Sequence, residues 1–387
     1  MDTQKLDQTY IANTYARFPV TIVKGKGSLV WDDTGKEYID LSTGIAVDIF
    51  GVADEEWVAA VTKQLGTLQH ISNLYYTEPC VKLAQMLCEK TGMKKVFFGN
   101  SGAEANECAI KAARKWSEEK KGKDYSTIIT LKNSFHGRTI TTLAATGQDV
   151  FHHDFTPLTE GFVYAEPNDL ADLEQLIKAN KCAAVMMEVV QGEGGVMPMD
   201  EAYVKGAAKL CEQYDLLLIC DEVQVGNGRS GKLYGYMHYG VQPDIVSTAK
   251  GLAGGLPLGA TLLGEKVQNV LSAGTHGSTF GGNPVCCAGA INVLSRLDEK
   301  MLEGVEERSA YIKQELAGAK GVLGVSGLGL MLGIQTEKNA SDIIAACREK
   351  GVLVIKAKDK LRLLPALNIP MEQLQKAVAV IKACCAE

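Results

Sequence analysis

Three apolar runs of the sequence each lead into residues that could do chemistry together. Asp221 follows the run 216–220, Lys250 follows the run that begins at Ile245, and a third run leads into Ser101 to Ala103 at the start of a predicted helix. A carboxylate at the end of an apolar strand is costly to bury unless something cationic faces it. The N–H groups and dipole at a helix start favour an anion. Together these groups could hold a pyridinium ring, its phosphate and an aldehyde.

Each feature taken alone has a simpler interpretation. Ser101 and Glu104 match part of the capping box of an ordinary helix. Asp221 could cap the following helix, and most lysines are solvated. The functional interpretation therefore requires that the groups meet at one edge of a sheet, because ligands of open α/β folds bind at the carboxyl ends of the strands.

A fourth segment, 133–139, follows the predicted strand 127–130. Its Phe135 could cover a flat cofactor, and its Arg138 could hold a carboxylate of the substrate. Taken singly, Phe135 is more typical of a core residue and His136 of a solvated loop residue.

Short β-type runs alternate with helical periodicity along nearly the whole chain, which predicts α/β layers around a mostly parallel sheet. The predicted strands of that sheet are 96–98, 127–130, 183–187, 216–220 and 245–247. A hairpin is predicted at 27–41, and a second α/β unit at the C-terminus, with strands 330–334, 352–355 and 361–364, helix 341–350 and a final helix. We expect a large domain at 51–283 and a small domain at 284–387, with 1–50 packing against the small domain.

Composition narrows the class of protein. The chain has 387 residues, which is too many for one compact core of ordinary size, and its net charge of −6 disfavours nucleic acid as a partner. Its apolar runs are shorter than the roughly 20 residues that span a bilayer. The N-terminal residues lack the apolar core of a secretory signal, so we expect a cytoplasmic protein. Its 11 cysteines show no metal spacing and are expected to be mostly reduced core residues.

From about Asn13 to the end, the sequence resembles the class III (fold type I) pyridoxal-phosphate aminotransferases, most of all those members that act on acetylornithine. The resemblance rests on segments that occur in the family's order and spacing. These are Gly44-Ile-Ala-Val47, His70-Ile-Ser-Asn73, Asn100-Ser-Gly-Ala-Glu-Ala-Asn106, Phe135-His-Gly-Arg138, Gln191-Gly-Glu-Gly-Gly195, Asp221-Glu-Val-Gln224, Ser247-Thr-Ala-Lys250 and His276-Gly-Ser-Thr-Phe-Gly-Gly-Asn-Pro284.

The resemblance implies pyridoxal 5'-phosphate as the cofactor and the fold type I architecture, with a large cofactor-binding domain and a small α/β domain built from both termini. It also implies roles for individual residues. Lys250 would bind the cofactor covalently and act as general acid and base, Asp221 would pair with the ring nitrogen, Gln224 would lie beside the ring hydroxyl, Phe135 would stack on the ring, and Ser101, Gly102 and Ala103 would hold the phosphate.

Active sites of this family lie between two subunits, so the resemblance implies a homodimer. Thr279 would reach the phosphate bound by the partner subunit, and Ser278 would lie near the substrate. No metal is needed, and neither nucleic acid nor a membrane is expected as a partner.

The reaction implied by the resemblance moves the terminal amino group of acetylornithine to 2-oxoglutarate. Arg138 would bind the carboxylate far from the reacting group, and Arg362 the carboxylate next to it in 2-oxoglutarate. Glu193 would neutralise Arg362 when the donor is bound. Tyr15 and Arg17 would border the donor pocket, although they also suit plain N-terminal packing.

Two alternatives stay open at this stage. A related ω-aminotransferase would act on ornithine, succinylornithine, N-succinyl-diaminopimelate or 4-aminobutyrate, which differ by groups that sequence separates poorly. A catalytically idle amine sensor would have lost Lys250 or gained a DNA-binding domain, and neither is seen.

The sequence departs from the family pattern at two places. Residues 51–57 lack the two histidines and the proline that the family usually carries there, and these residues are expected to bear on dimer contacts. Ala103 stands where the family commonly has threonine, which removes one hydroxyl from the phosphate cradle.

Overall fold

The computed structural model describes residues 2–387, which form a mixed α/β architecture. The strands, numbered along the chain, are β1 (Ile22–Lys26), β2 (Leu29–Asp32), β3 (Glu37–Asp40), β4 (Lys95–Gly99), β5 (Thr127–Leu131), β6 (Phe162–Ala165), β7 (Cys182–Met187), β8 (Val190–Gln191), β9 (Met197–Pro198), β10 (Leu217–Asp221), β11 (Ile245–Thr248), β12 (Gly259–Leu263), β13 (Val322–Leu328), β14 (Met331–Thr336), β15 (Val352–Leu353), β16 (Ile355–Ala357) and β17 (Lys360–Leu363).

The helices carry their own numbers. They are α1 (Thr3–Tyr10), α2 (Thr43–Ala46), α3 (Glu55–Leu65), α4 (Glu78–Thr91), α5 (Gly102–Lys121), α6 (Ile140–Ala145), α7 (Leu170–Ala179), α8 (Glu201–Gln213), α9 (Pro284–Arg296), α10 (Glu299–Leu316), α11 (Ala340–Glu349) and α12 (Met371–Ala386).

The central sheet has seven strands in the order β4-β12-β11-β10-β7-β5-β6. Its strands run parallel except β12, which is antiparallel to both β4 and β11. Every residue of β7, β10, β11 and β12 is buried, which accounts for the continuous apolar runs in the sequence. The prediction of a mostly parallel central sheet is confirmed, but β6 and β12 were not predicted.

Two four-stranded sheets lie outside the central one. The first has the order β1-β2-β3-β15, so the predicted N-terminal hairpin, β2-β3, is confirmed. Its second strand, β3, pairs in parallel with the C-terminal strand β15. The second is antiparallel, with the order β13-β14-β17-β16. The predicted strand 352–355 is divided at Val354, because its two halves pair with different sheets. Helix α9 packs on α3, α4 and the turn Lys250–Ala253, and the domain boundary near 284 stays a prediction.

The turn α2 connects the N-terminal sheet to the central one through an unusual backbone. Thr43, Gly44, Ile45 and Ala46 all have positive φ angles, between 45° and 67°. Left-handed backbone costs roughly 1–2 kcal/mol per non-glycine residue, so the turn needs support from its surroundings. The carboxylate of Asp40 accepts hydrogen bonds from Ser42 and Thr43, and the Thr43 hydroxyl donates to the Leu364 carbonyl at 2.6 Å.

Residues 51–57, where the sequence departs from the family pattern, make contacts within the chain. Asp54 caps α3 by accepting a hydrogen bond from the Trp57 N–H at 3.0 Å. The same carboxylate forms a two-point ion pair with Arg296 of α9, at 2.5 and 3.0 Å. The Trp57 indole donates at 3.0 Å to the carbonyl of Ala253, the last residue of the turn that begins at Lys250. This segment therefore supports the base of that turn.

We expect Asp54→Ala to lower the free energy of unfolding by about 2 kcal/mol, since a helix cap contributes about 1 kcal/mol and a half-buried two-point ion pair a similar amount. Asp54→Asn keeps the cap and should cost about 1 kcal/mol. Asp298→Ala, which removes only a cap from α10, is the matched control. Urea unfolding of the three variants measures these differences.

The effect of Asp54 should also depend on pH. Burial would raise the pKa of Asp54, but Arg296 and the backbone hydrogen bonds outweigh burial and hold that pKa below its usual value. The carboxylate therefore stabilises the fold above the unfolded pKa of about 4 and loses this contribution as pH falls through the lower folded pKa. The free energies of unfolding of Asp54→Ala and wild type should differ less in strong acid than at pH 7. If the difference is the same at both pH values, the ionised Asp54 carboxylate does not stabilise the fold.

Candidate active site

Asp221 and Lys250 lie at the carboxyl ends of neighbouring parallel strands. Asp221 is the last residue of β10 and pairs in register with Ser247 of β11, three residues before Lys250. Lys250 begins the turn Lys250–Ala253 with a φ of 47°, a strained backbone for a residue with a side chain. Burial lowers the pKa of its amine to about 8, although the charges of Glu193 and Asp221 oppose the shift. A lysine amine with this pKa is partly neutral near pH 7 and can act as a nucleophile.

The Asp221 carboxylate is buried and held by three donors. Its Oδ2 accepts hydrogen bonds from Asn106 at 2.7 Å and from the His136 ring at 2.8 Å. Its Oδ1 accepts from the Val223 N–H at 3.0 Å, which leaves this oxygen able to accept a further hydrogen bond. The interpretation of His136 as a solvated loop residue is wrong, because its ring is buried against Asp221. A buried carboxylate needs such donors.

Asn106 is a site residue for which the sequence predicted no role of its own. It lies on the buried face of α5, and its amide donates to the His136 carbonyl at 2.8 Å as well as to Asp221. A polar residue within the apolar stripe of a helix is rarely buried without a partner. That pattern was the signal that could have identified it.

The start of α5 presents free backbone donors. The Ser101 hydroxyl accepts a hydrogen bond from the Glu104 N–H at 3.2 Å, and within residues 2–387 the N–H groups of Gly102 and Ala103 have no acceptor. The capping box is only half formed, because the Glu104 carboxylate accepts from the Asn100 N–H instead of that of Ser101. These free N–H groups at the positive end of a long helix suit an anion such as phosphate.

Gly102 has a packing reason of its own. A Cβ at this position would lie 2.6 Å from Cγ1 of Val223, the residue whose N–H binds Asp221. Glycine therefore allows the start of α5 to approach the end of β10. Its predicted role in phosphate binding stays a prediction.

Arg138 lies against two aromatic rings that contact each other. Its guanidinium carbon is 5.5 Å from the centre of the Phe135 ring and 4.5 Å from that of Phe151, and the two rings meet edge to face at 5.7 Å. Arg138 is exposed and forms no hydrogen bond within the described chain, so its planar set of donors is available to a carboxylate. Phe151 was missed, because no periodic pattern surrounds it in the sequence.

Arg362 and Glu193 are paired, as the sequence analysis expected of these two positions. Arg362 lies in β17 and donates to Glu193 at 2.5 Å and to the Gln224 side chain at 3.1 Å. The Arg362 side chain is 3% exposed and that of Glu193 is 28% exposed, so only the glutamate has room to move. Burial would raise the pKa of Glu193, but Arg362 and Lys250 hold that pKa below its usual value.

The structure does not bring every expected residue to Lys250. Tyr15 and Arg17 are exposed, stack on each other at 5.2 Å, and Arg17 pairs with Asp7 of α1. The Ser278 hydroxyl accepts hydrogen bonds from Asn100 at 3.1 Å and from the Gly281 N–H at 3.0 Å, close to the start of α5. Thr279 beside it is exposed.

These groups fit pyridoxal 5'-phosphate. An amine, a buried carboxylate with capacity for one more donor, a flat aromatic side chain and free N–H groups at a helix start match the aldehyde, ring nitrogen, ring face and phosphate of that molecule. Within residues 2–387 no cluster of metal-ligating side chains occurs.

Comparisons with known proteins agree with this arrangement of side chains. The family model for class III aminotransferases matches residues 10–385. The chain is 49% identical over 386 residues to the acetylornithine aminotransferase of Haemophilus ducreyi, covering 99% of this chain and 98% of that protein.

Two solved structures extend the comparison. The N-acetylornithine aminotransferase of Stenotrophomonas maltophilia is similar with a TM-score of 0.86 and 36% identity, covering 99% of this chain and 98% of that one. The ornithine aminotransferase of Toxoplasma gondii is similar with a TM-score of 0.95 and 33% identity, covering 99% of this chain and 94% of that one.

The depressed pKa of Lys250 predicts how pyridoxal 5'-phosphate associates with the cofactor-free protein. Only the neutral amine attacks the aldehyde, so the association rate should rise with pH and reach half its maximum near pH 8. Stopped-flow absorbance measures the rate, and Lys250→Arg is the control that cannot bind covalently. A midpoint near the ordinary lysine value of about 10.4 would contradict the burial of this amine.

Borohydride reduction and peptide mapping should label Lys250 and no other lysine.

Proposed function

The chain belongs to the class III aminotransferases, and from that premise we propose that it moves the terminal amino group of N2-acetyl-L-ornithine to 2-oxoglutarate. The products are N-acetyl-L-glutamate 5-semialdehyde and L-glutamate, and the reaction belongs to arginine biosynthesis. The cofactor is pyridoxal 5'-phosphate. The observation that carries the proposal is the similarity, over nearly the whole chain, to relatives named for acetylornithine.

Pyridoxal 5'-phosphate supplies an electron sink, which stabilises negative charge at the carbon that loses its proton. The chain's own residues make this chemistry possible. Asp221 would hold the ring nitrogen of the cofactor and, as a buried anion, would favour a proton on it. The Lys250 amine would hold the cofactor through its aldehyde and, as general acid and base, would move a proton between the substrate carbon and the cofactor carbon.

Arg138 binds the carboxylate far from the reacting carbon in both substrates. Acetylornithine carries that carboxylate on its acetylated end, and 2-oxoglutarate carries it on its side chain. The guanidinium lies over the Phe135 and Phe151 rings, which do not occupy its N–H donors, so two of these remain for one carboxylate.

Glu193 and Arg362 let one pocket accept both substrates. The reacting end of acetylornithine has no carboxylate, so Arg362 stays paired with Glu193, as in this structure. 2-Oxoglutarate has a carboxylate beside the reacting carbon, which takes Arg362 while the partly exposed Glu193 moves aside. Without such a partner, Arg362 would be a buried and unpaired cation whenever the donor is bound.

A homodimer is part of this proposal. Several large apolar side chains are exposed close to the loop that carries Ser278 and Thr279, and Leu74 and Tyr76 are 87% and 100% exposed. A groove of about 430 Å³ lies beside the same loop, and Leu65, Leu256 and Phe280 are among the residues that line it. Apolar area of this kind is typical of an interface between subunits, where Thr279 would reach the partner's phosphate.

We also place the protein in the cytoplasm. All eleven cysteines are unpaired and nine of them are buried, as expected in a reducing compartment. None of the helices formed by residues 2–387 has the length and apolar character needed to cross a bilayer.

Ornithine is the second candidate donor. The specific observation in its favour is the higher TM-score to an ornithine aminotransferase than to an N-acetylornithine aminotransferase. Tyr15 and Arg17 are exposed, and Arg17 contacts Tyr15 and Asp7, so their place at the donor pocket is part of the proposal.

A panel of amine donors with 2-oxoglutarate as acceptor tests the proposed function. We expect kcat/KM to be highest for acetylornithine and at least tenfold lower for ornithine, because a free α-amine adds a charge that the pocket must desolvate. Succinylornithine, N-succinyl-diaminopimelate and 4-aminobutyrate complete the panel. A higher kcat/KM for any of these donors would replace acetylornithine as the substrate.

Substitutions of Arg362 and of Glu193 should affect the two half-reactions differently. Arg362→Ala should slow mainly the 2-oxoglutarate half-reaction, at a cost of roughly 2–5 kcal/mol for a truncated buried charge pair. Glu193→Gln leaves Arg362 without its counter-charge, so glutamate should gain as a donor relative to acetylornithine. Single-turnover rates of each half-reaction measure both effects. Equal slowing of both halves in both variants, with unchanged donor preference, would show that the pair is only structural.

A further inference from the structure

Glu188 is a buried carboxylate that the proposed chemistry does not use. It directly follows β7, the strand beside β10, and is 5% exposed. Its two oxygens accept hydrogen bonds from two backbone N–H groups, Oε1 from Phe135 at 2.9 Å and Oε2 from Gly192 at 3.2 Å. Glu188 was not predicted as a site residue, because the residues that donate to it, Phe135 and Gly192, are not its neighbours in the sequence.

The two N–H groups belong to the segments that carry Arg138 and Glu193, which the proposed function assigns to the substrates. Phe135 begins the segment that ends at Arg138, whose guanidinium is stacked on the Phe135 ring. Gly192 precedes Glu193, the partner of Arg362. A Cβ at Gly192 would lie 2.5 Å from the Gln224 side chain, so this backbone packs closely against Gln224. Glu188 is thus the one side chain in the described chain that accepts hydrogen bonds from both segments.

A charged carboxylate in this buried position costs desolvation free energy. Burial raises the pKa of Glu188 to about 7, and the Asp221 charge adds to the shift while His136 and the two N–H groups oppose it. An apolar residue would avoid that cost but would leave two buried N–H groups without an acceptor. The need to accept hydrogen bonds from these two N–H groups therefore explains why an acid occupies this buried position.

We propose that Glu188 is a positioning residue, which fixes the spacing between the Arg138 segment and the Glu193 segment and so places both substrate carboxylates relative to Lys250. This inference rests on the proposed function for the identity of the substrates. It concerns no contact between Glu188 and substrate or cofactor. It predicts that loss of the carboxylate disturbs both substrates together, unlike a change in Arg362 alone.

Glu222 offers a matched control. It is fully buried. Its carboxylate also accepts hydrogen bonds from two backbone N–H groups, that of Gly235 at 2.7 Å and that of Tyr236 at 2.9 Å. Burial raises the pKa of Glu222 to about 8. The segment that it holds, however, carries neither Arg138 nor Glu193. Glu222 therefore shares the burial and the hydrogen bonding of Glu188 but not its connection to the two segments.

Glu188→Gln and Glu222→Gln should be compared in the cofactor-loaded enzyme. Glutamine keeps the size of the side chain but replaces one accepting oxygen by an NH2 group, which opposes the N–H that it faces. We expect both variants to lose thermal stability. Only Glu188→Gln should raise the KM of both the amine donor and 2-oxoglutarate, by roughly tenfold to a hundredfold.

Two further readouts separate positioning from stability. In Glu188→Gln the visible circular dichroism of the bound cofactor should change, because Phe135 moves, and glutamate should gain as a donor, because Glu193 moves. Both should stay as in wild type for Glu222→Gln. If the two variants lose stability alike and neither one changes KM, circular dichroism or donor preference, Glu188 is only a structural acid and the proposal is overturned.

The design also covers two complications. If Glu188→Gln does not fold, Glu188→Asp, which keeps the charge but is one methylene shorter, is compared with Glu222→Asp by the same measurements. If wild type rejects acetylornithine, the proposed function fails, but the comparison continues with the donor that wild type does accept and with the glutamate half-reaction. A rise in both KM values for Glu188→Asp alone supports the proposal, and an equal response of the two aspartate variants overturns it.

Discussion

The Asp221 carboxylate is a charge that the fold buries at the edge of its central sheet, and the positions of the other site elements depend on how that charge is satisfied. Desolvating a carboxylate costs several kcal/mol unless donors replace water. Here Asn106 of α5, the His136 ring and the Val223 N–H supply them. Helix α5 and the segment after β5 therefore cannot shift without exposing an unsatisfied charge. These same elements carry the free N–H groups of Gly102 and Ala103 and the aromatic support of Arg138.

Much of the fold could be predicted from the sequence, because the strands in the middle of the sheet are buried on both faces. Such strands read as continuous apolar runs, and β7, β10 and β11 were found in this way. The edge strand β6 is only partly buried, so its pattern is weaker. Strand β12 begins with Gly259 after a glycine-rich stretch, where local composition indicates a loop. Tertiary pairing with β4 and β11 overrides that composition.

Part of the site could be predicted for a related reason. Parallel strands bring their carboxyl ends to one edge, so Asp221, Lys250 and the start of α5 were expected to converge from their positions after apolar runs. The side chains that support them could not be found in this way. Phe151 and Glu188 act through contacts with residues distant in sequence, and the pairing of Glu193 with Arg362 was inferred from family resemblance alone. His136 was misjudged because local sequence does not reveal the carboxylate that it faces.

The reversed direction of β12 has a consequence for turnover. The chain leaves the sheet after Thr248 of β11 and returns at Gly259 of β12, the adjacent strand, at the same edge. The short connection that contains Lys250 is therefore closed at both ends by sheet hydrogen bonds and is held midway by Trp57. If Lys250 has the role proposed above, these hydrogen bonds would hold its main chain in place while its side chain moves. The amine would then remain at a high effective concentration beside the carbon atoms that exchange the proton, and it would return to the same position after each cycle.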